Sequence, residues 1–61
     1  MKNMNLKKEL EQVLAYVQSA YGWLQNYYQT QKSFSIEIAK DKLEKATRIL
    51  EKILQKLGED T

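Results

Sequence analysis

Apolar residues recur at alternating four- and three-residue intervals along two stretches of the chain. The first series is Leu6, Leu10, Val13, Val17, Ala20, Leu24 and Tyr27, and the second is Ile36, Ala39, Leu43, Ala46, Leu50, Ile53 and Leu57. This spacing follows the helical turn of about 3.6 residues, so each stretch predicts an amphipathic helix. Flanking apolar residues widen the arc to about 180° on the first helix and about 140° on the second.

The two series are out of phase with each other. The first would place its next core residues at Gln31 and Ile38, whereas the second begins at Ile36. Coiled coils absorb insertions of three or four residues, and this shift matches neither. We therefore predict an all-α fold in which two helices form an antiparallel hairpin. The hairpin is a single domain over residues 1–61, with helix 1 at about 5–31, a joint at about 32–35 and helix 2 at about 36–57.

Local signals support these boundaries. Ser35 is suited to cap the second helix, with Phe34 and Ala39 placed as a hydrophobic staple. Gly58 is suited to the left-handed position that ends a helix. Two alternatives stay open, because the joint contains no Gly or Pro. One is a continuous helix in an extended coiled coil, and the other is a short strand at 34–38, where polarity alternates.

The small size of the chain favours an oligomer. A domain of 61 residues without Cys or His has no disulfide to stabilise it and very little prospect of a structural metal. One neighbouring helix covers much less than an arc of about 180°. We therefore predict a homodimer that forms a four-helix bundle, with a heteromeric assembly as the alternative. Its predicted dimer core is Leu10, Val13, Leu14, Val17, Tyr21, Leu24, Tyr28, Leu43, Leu50, Ile53 and Leu57.

Residues 12–31 contain no charged side chain and hold five of the six aromatic residues. A solvated helix normally carries charges on its outer face, so this stretch predicts contacts on more than one side. Two features of this stretch suggest such contacts: the aromatic edge of Tyr16 and Trp23, at the margin of the apolar arc, and a small-residue ridge on the opposite side, formed by Ala15, Ser19, Gly22 and Asn26. Trp and Tyr are common interface hot spots, and small residues permit close approach of another backbone. The predicted protein interface is Tyr16, Trp23, Ala15, Ser19, Gly22 and Asn26.

The composition argues against an enzyme and against a cofactor. The chain has no His or Cys to act as general base or thiol nucleophile, and it has no glycine-rich phosphate loop. Glu37, Asp41 and Glu44 share one side of helix 2, but acid-first pairs with Lys45 and Arg48 explain Asp41 and Glu44 as surface charges. We expect no metal site.

A basic stripe on helix 2 suggests an alternative function. One side of the helix carries Lys45, Arg48, Lys52 and Lys56, which could follow the phosphates of a nucleic acid such as RNA. The net charge of +2 is too small to indicate such a partner by itself. Acidic neighbours also favour an ordinary solvated face.

Nothing in the sequence predicts secretion or a membrane span, since glutamines interrupt the uncharged stretch. We therefore expect a cytoplasmic protein. The sequence as a whole predicts a small protein-binding regulator, adaptor or inhibitor that acts as a helical homodimer, with an RNA-binding dimer as the alternative.

Overall fold

The chain folds into two long helices that pack against each other. In a computed structural model, which describes the backbone of residues 2–60 and the side chains of residues 5–58, α1 spans Lys2–Thr30 and α2 spans Ser33–Asp60. The two helices run antiparallel and give a flat, elongated shape with extents of 46 × 17 × 11 Å. The predicted all-α hairpin is confirmed, and over the described residues there is neither a continuous helix nor a strand.

A two-residue joint reverses the chain. Gln31 has a φ of 58°, in the left-handed region, and its N–H donates to the carbonyl of Tyr27 at 2.6 Å. The Thr30 hydroxyl donates to the carbonyl of Asn26 at 2.8 Å and accepts the N–H of Lys32 at 3.4 Å. A left-handed residue is the usual way to end a helix, although glycine or asparagine normally fills that position.

The second helix begins three residues before the predicted start. The N–H of Ser35 donates to the carbonyl of Lys32 at 3.0 Å, which places Ser35 inside the first turn and not at its cap. The hydroxyl of Ser35 is fully buried and donates across the hairpin to Oδ1 of Asn26 at 2.7 Å. This hydrogen bond fixes the position of one helix relative to the other along the hairpin axis.

The end of α2 also differs from the predicted one. The helix continues through Gly58 to Asp60, and no described glycine has a positive φ. The left-handed position predicted at Gly58 is instead found at Gln31, in the joint.

Small residues line the contact between the helices. The buried apolar side chains are Val13 and Ala20 on α1, and Ala39, Ala46 and Ile53 on α2. Because three of these five are alanines, the interior of the hairpin holds little apolar volume. Most of the large aliphatic and aromatic side chains are exposed or only partly buried.

Candidate functional site

One broad side of the hairpin is apolar and uncovered. Its members, which we call the apolar face, are each between 38% and 84% exposed: Leu10, Leu14, Val17, Tyr21, Leu24 and Tyr28 on α1, and Ile36, Leu43, Leu50, Leu54 and Leu57 on α2. An isolated exposed leucine is ordinary on a protein surface, whereas exposed apolar residues gathered on one side are typical of interaction surfaces.

These residues share one side because they follow heptad rows. Residues seven apart lie nearly above one another on helices in a bundle, so Leu10, Val17 and Leu24 form one row beside the buried Val13 and Ala20. The rows of the two helices meet in an open groove of about 540 Å³ that Leu24, Ile36 and Leu43 line. A second groove continues this surface toward the start of α1, where Leu6, Leu10 and Leu14 line it.

The predicted dimer core divides into two groups. Val13 and Ile53 are buried between the helices of one chain, so they belong to the hairpin's own interior. The other nine predicted core residues all remain exposed on the apolar face. Two further members, Ile36 and Leu54, were not in the predicted core, although both belong to the apolar stripe read from the sequence.

The two long edges of the apolar face differ in charge. On α2 the edge is an acidic row of Glu37, Glu44 and Glu51, spaced seven residues apart, and Glu44 and Glu51 border the groove directly. On α1 the matching edge is a glutamine row of Gln18 and Gln25, which Glu11 extends toward the N-terminus. Neither row was among the residues predicted from the sequence, although their seven-residue spacing is a signal that the sequence contains.

The aromatic edge lies against α2 of the same chain. Trp23 and Phe34 make an edge-to-face contact with ring centroids 6.3 Å apart and planes at 67°. Lys42 Nζ lies 5.9 Å from the ring centroid of Tyr16, within the range of a cation–π contact. Tyr16 and Trp23 are therefore half-buried inside the hairpin, which accounts for much of their apolar surface. Phe34 remains 51% exposed beside them.

The small-residue ridge is partly committed to the fold. Asn26 is half-buried and accepts the buried hydroxyl of Ser35, so it holds the joint together. Ser19 is also half-buried, whereas Ala15 and Gly22 are exposed. A Cβ added at Gly22 would meet nothing within 4 Å. Nothing within the hairpin requires a glycine at this position.

Three of the four side chains in the basic stripe lie close to a carboxylate. Lys45 Nζ lies 3.2 Å from Asp41, Lys56 Nζ lies 3.4 Å from Glu9, and the Arg48 guanidinium reaches 4.0 Å from Glu44. Lys52 is exposed on the same helix. These pairs reduce the positive potential that a phosphate backbone would meet, and as exposed pairs they add little stability.

Other site classes receive no support from the geometry. Among the side chains of residues 5–58, no three carboxylates gather closely enough to hold a metal ion. Neither helix, over its described length, contains a segment long and apolar enough to cross a bilayer.

Comparisons with known proteins add no relative to this picture. No protein-family model matches the chain, and no characterised protein or solved structure shows significant similarity to it.

Proposed function

We propose that this chain is a non-enzymatic protein-binding module that works as a homodimer, in which two hairpins pack apolar face to apolar face as a four-helix bundle. The observation that carries the proposal is the apolar face itself. Eleven large apolar side chains lie exposed on one side, while three of the five buried apolar side chains between the helices are alanines. Burial of a Leu, Ile or Phe side chain contributes about 1.5–3 kcal/mol, so this face is a strong driving force for association.

A second copy fits the dimensions of the face. The broad side of the hairpin, 46 Å by 17 Å, has an area of about 800 Å², which is the area that each partner buries in a standard protein–protein interface. Two identical hairpins have the same length and the same apolar rows, so a two-fold axis brings both faces together over their full extent.

The dimer leaves the opposite side of each hairpin for a further protein partner. That side carries Ala15 and Gly22, both exposed and uncharged, and the exposed part of Phe34 beside Trp23. A small dimer that presents two copies of such a surface would suit a regulator, adaptor or inhibitor. The absence of His and Cys from the sequence supports a binding role over a catalytic one.

Sedimentation equilibrium at micromolar concentrations tests the dimer. We expect twice the chain mass of 7.2 kDa for the wild type. A Leu14→Glu variant should be monomeric, because each interface would then bury two carboxylates. Gln12→Glu, which adds the same charge on the exposed side of α1 away from the apolar face, is the matched control and should stay dimeric. A well-folded wild-type monomer would contradict the proposal, and a complex that forms only with a different protein would replace it with the heteromer.

A binding comparison tests the further partner. Gly22→Leu fills the exposed side opposite the apolar face and should leave the dimer mass unchanged. Affinity capture with wild type and with this variant, followed by mass spectrometry, should then recover a protein that only the wild type retains. Identical recovery by both would remove the small-residue ridge from the binding surface.

A further inference from the structure

The two edges of the apolar face determine how a second copy can sit on it. Only two arrangements with two-fold symmetry bring the faces together along their whole length. In the first, the two-fold axis runs along the bundle, α1 of one copy lies beside α2 of the other, and both joints lie at the same end. In the second, the axis crosses the bundle, each helix lies beside its own counterpart, and the joints lie at opposite ends.

We infer that the dimer adopts the first arrangement, with both joints at the same end. This inference rests on the proposed homodimer and specifies which helices meet across its interface. Its basis is the acidic row on α2 and the glutamine row on α1, because the two arrangements give these rows different neighbours.

The second arrangement brings like charges together. If α2 lies beside the partner's α2, the acidic row of Glu37, Glu44 and Glu51 runs along the same seam as its own copy. Six carboxylates would then line one side of the bundle, and like charges set opposite each other are destabilising. Arg48 lies 4.0 Å from Glu44 and Lys40 borders the groove, but each is a single cation beside a row of three acids.

The first arrangement gives each acid a polar or neutral neighbour along most of the seam. Within the hairpin, Asn26 lies opposite Ser35 and Glu9 lies opposite Lys56, which fixes the relative heights of the two helices. By that alignment Glu44 lies at the height of residues 17–21 and Glu37 at the height of residues 24–28. Because the symmetry axis runs along the bundle, these heights carry over to the partner.

The partner's glutamine row therefore faces the acidic row. Glu44 meets the partner's Gln18 and Glu37 meets the partner's Gln25, whose amide N–H groups can donate to the carboxylates. Only Glu51 meets an acid, the partner's Glu11, and the partner's Lys7 lies one turn away from that contact. This arrangement gives a physical reason for the uncharged residues Gln18 and Gln25, because the edge that they form on α1 adjoins the acidic row of the partner.

A same-end dimer has two chemically different ends. One end carries both joints, with the Trp23–Phe34 contact of each copy beside them. The other end carries the beginning of both α1 helices and the end of both α2 helices. The opposite-end dimer would instead have two identical ends.

Distance measurements between spin labels decide between the arrangements. The chain has no cysteine, so a single cysteine substitution gives one label per copy. With Lys32→Cys in the joint, we expect a label separation below about 30 Å, because neighbouring helices in a bundle lie about 8–10 Å apart. A separation near the 46 Å length of the hairpin would overturn the inference.

A label at the middle of α1 tests the dimer separately from its arrangement. Ala15→Cys is exposed at mid-height and should give a separation below about 35 Å in both arrangements, because helix spacing alone limits it. If Ala15→Cys shows no defined separation, the homodimer itself is wrong. If it shows one and Lys32→Cys gives about 46 Å, the homodimer stands and the same-end arrangement is wrong.

A charge substitution gives an independent test by the sign of its effect. Gln25→Lys should lower the dimer dissociation constant about three- to tenfold, because each of the two seams gains a lysine opposite Glu37. In the opposite-end arrangement, α1 helices that overlap over their whole length place Gln25 near the partner's Lys7, so two lysines would repel each other and the constant would rise. Gln12→Lys adds the same charge on the side of α1 away from the apolar face and serves as the control. A rise for Gln25→Lys, or no difference from the control, would contradict the same-end arrangement.

Discussion

At the scale of single residues, the joint depends on one unfavourable backbone conformation. Gln31 adopts a φ of 58°, which costs an L-residue with a side chain roughly 1 kcal/mol relative to glycine. We therefore predict that Gln31→Gly raises the free energy of unfolding by about 1 kcal/mol. Gln12→Gly, at an exposed position in the middle of α1, should lower it by about 1 kcal/mol. Urea unfolding at one fixed protein concentration measures both, and a loss of stability in Gln31→Gly would contradict the assigned conformation.

The buried hydrogen bond between Ser35 and Asn26 leads to an asymmetric prediction. Ser35→Ala removes the buried hydroxyl and lets the half-exposed Asn26 amide turn to water, so it should cost about 1 kcal/mol. Asn26→Ala leaves that hydroxyl buried without its acceptor, so it should cost about 2 kcal/mol. Unfolding free energies of both variants and of the double variant test this order. Equal effects would mean that Ser35 finds another partner in the core.

At the scale of the helices, Gly22 is a position that can be improved. It lies in the middle of α1, it is exposed, and nothing lies within 4 Å of where a Cβ would be. Gly22→Ala should therefore raise the free energy of unfolding by about 1 kcal/mol through helix propensity alone. Gly58→Ala should give a smaller gain, because that residue lies near the end of α2. Thermal unfolding of both variants provides the comparison, and a destabilised Gly22→Ala would show that a close contact forms there in the assembled protein.

The sequence predicted the helices and their reversal because hydrophobic periodicity and its phase shift are local signals. It did not predict which part of each apolar arc the other helix covers. The seam of α1 is centred on Val13 and Ala20, but α2 lies toward Tyr16 and Trp23, so these aromatics are enclosed within the hairpin and not at an outer edge. That choice depends on close packing of Ala20, Ala39 and Ala46, which a helical wheel of one helix cannot reveal.

The joint was misplaced for a similar reason. Serine is a strong helix cap, so Ser35 was predicted to precede α2. In the structure its hydroxyl donates a hydrogen bond across the hairpin to Asn26, nine residues earlier in the chain. A hydrogen bond between two helices can override the local preference of serine for a helix cap. The residues around Ser35 reveal only the local preference, because the partner in the bond lies on the other helix.

At the scale of the whole molecule, stability should depend on protein concentration. If the apolar face is buried only in the dimer, unfolding and dissociation are coupled, and each tenfold rise in concentration adds about 1.4 kcal/mol to the apparent stability of the dimer. We therefore expect the midpoint of urea unfolding to rise steadily between micromolar and higher concentrations. The Leu14→Glu variant should show a lower midpoint that does not change with concentration. A concentration-independent midpoint for the wild type would indicate that a single hairpin is stable alone.

The alanines between the helices have a consequence for the lifetime of the protein in a cell. Alanine occupies three of the five buried apolar positions, so a single hairpin gains little stability from its own interior. Its leucines and tyrosines would then be accessible to proteases and chaperones until a second copy covers them. Copies that find their counterpart quickly would persist, and excess or late copies would be degraded. In that case abundance would be limited by pairing as well as by synthesis, so a modest change in expression would produce a disproportionate change in the amount of folded protein.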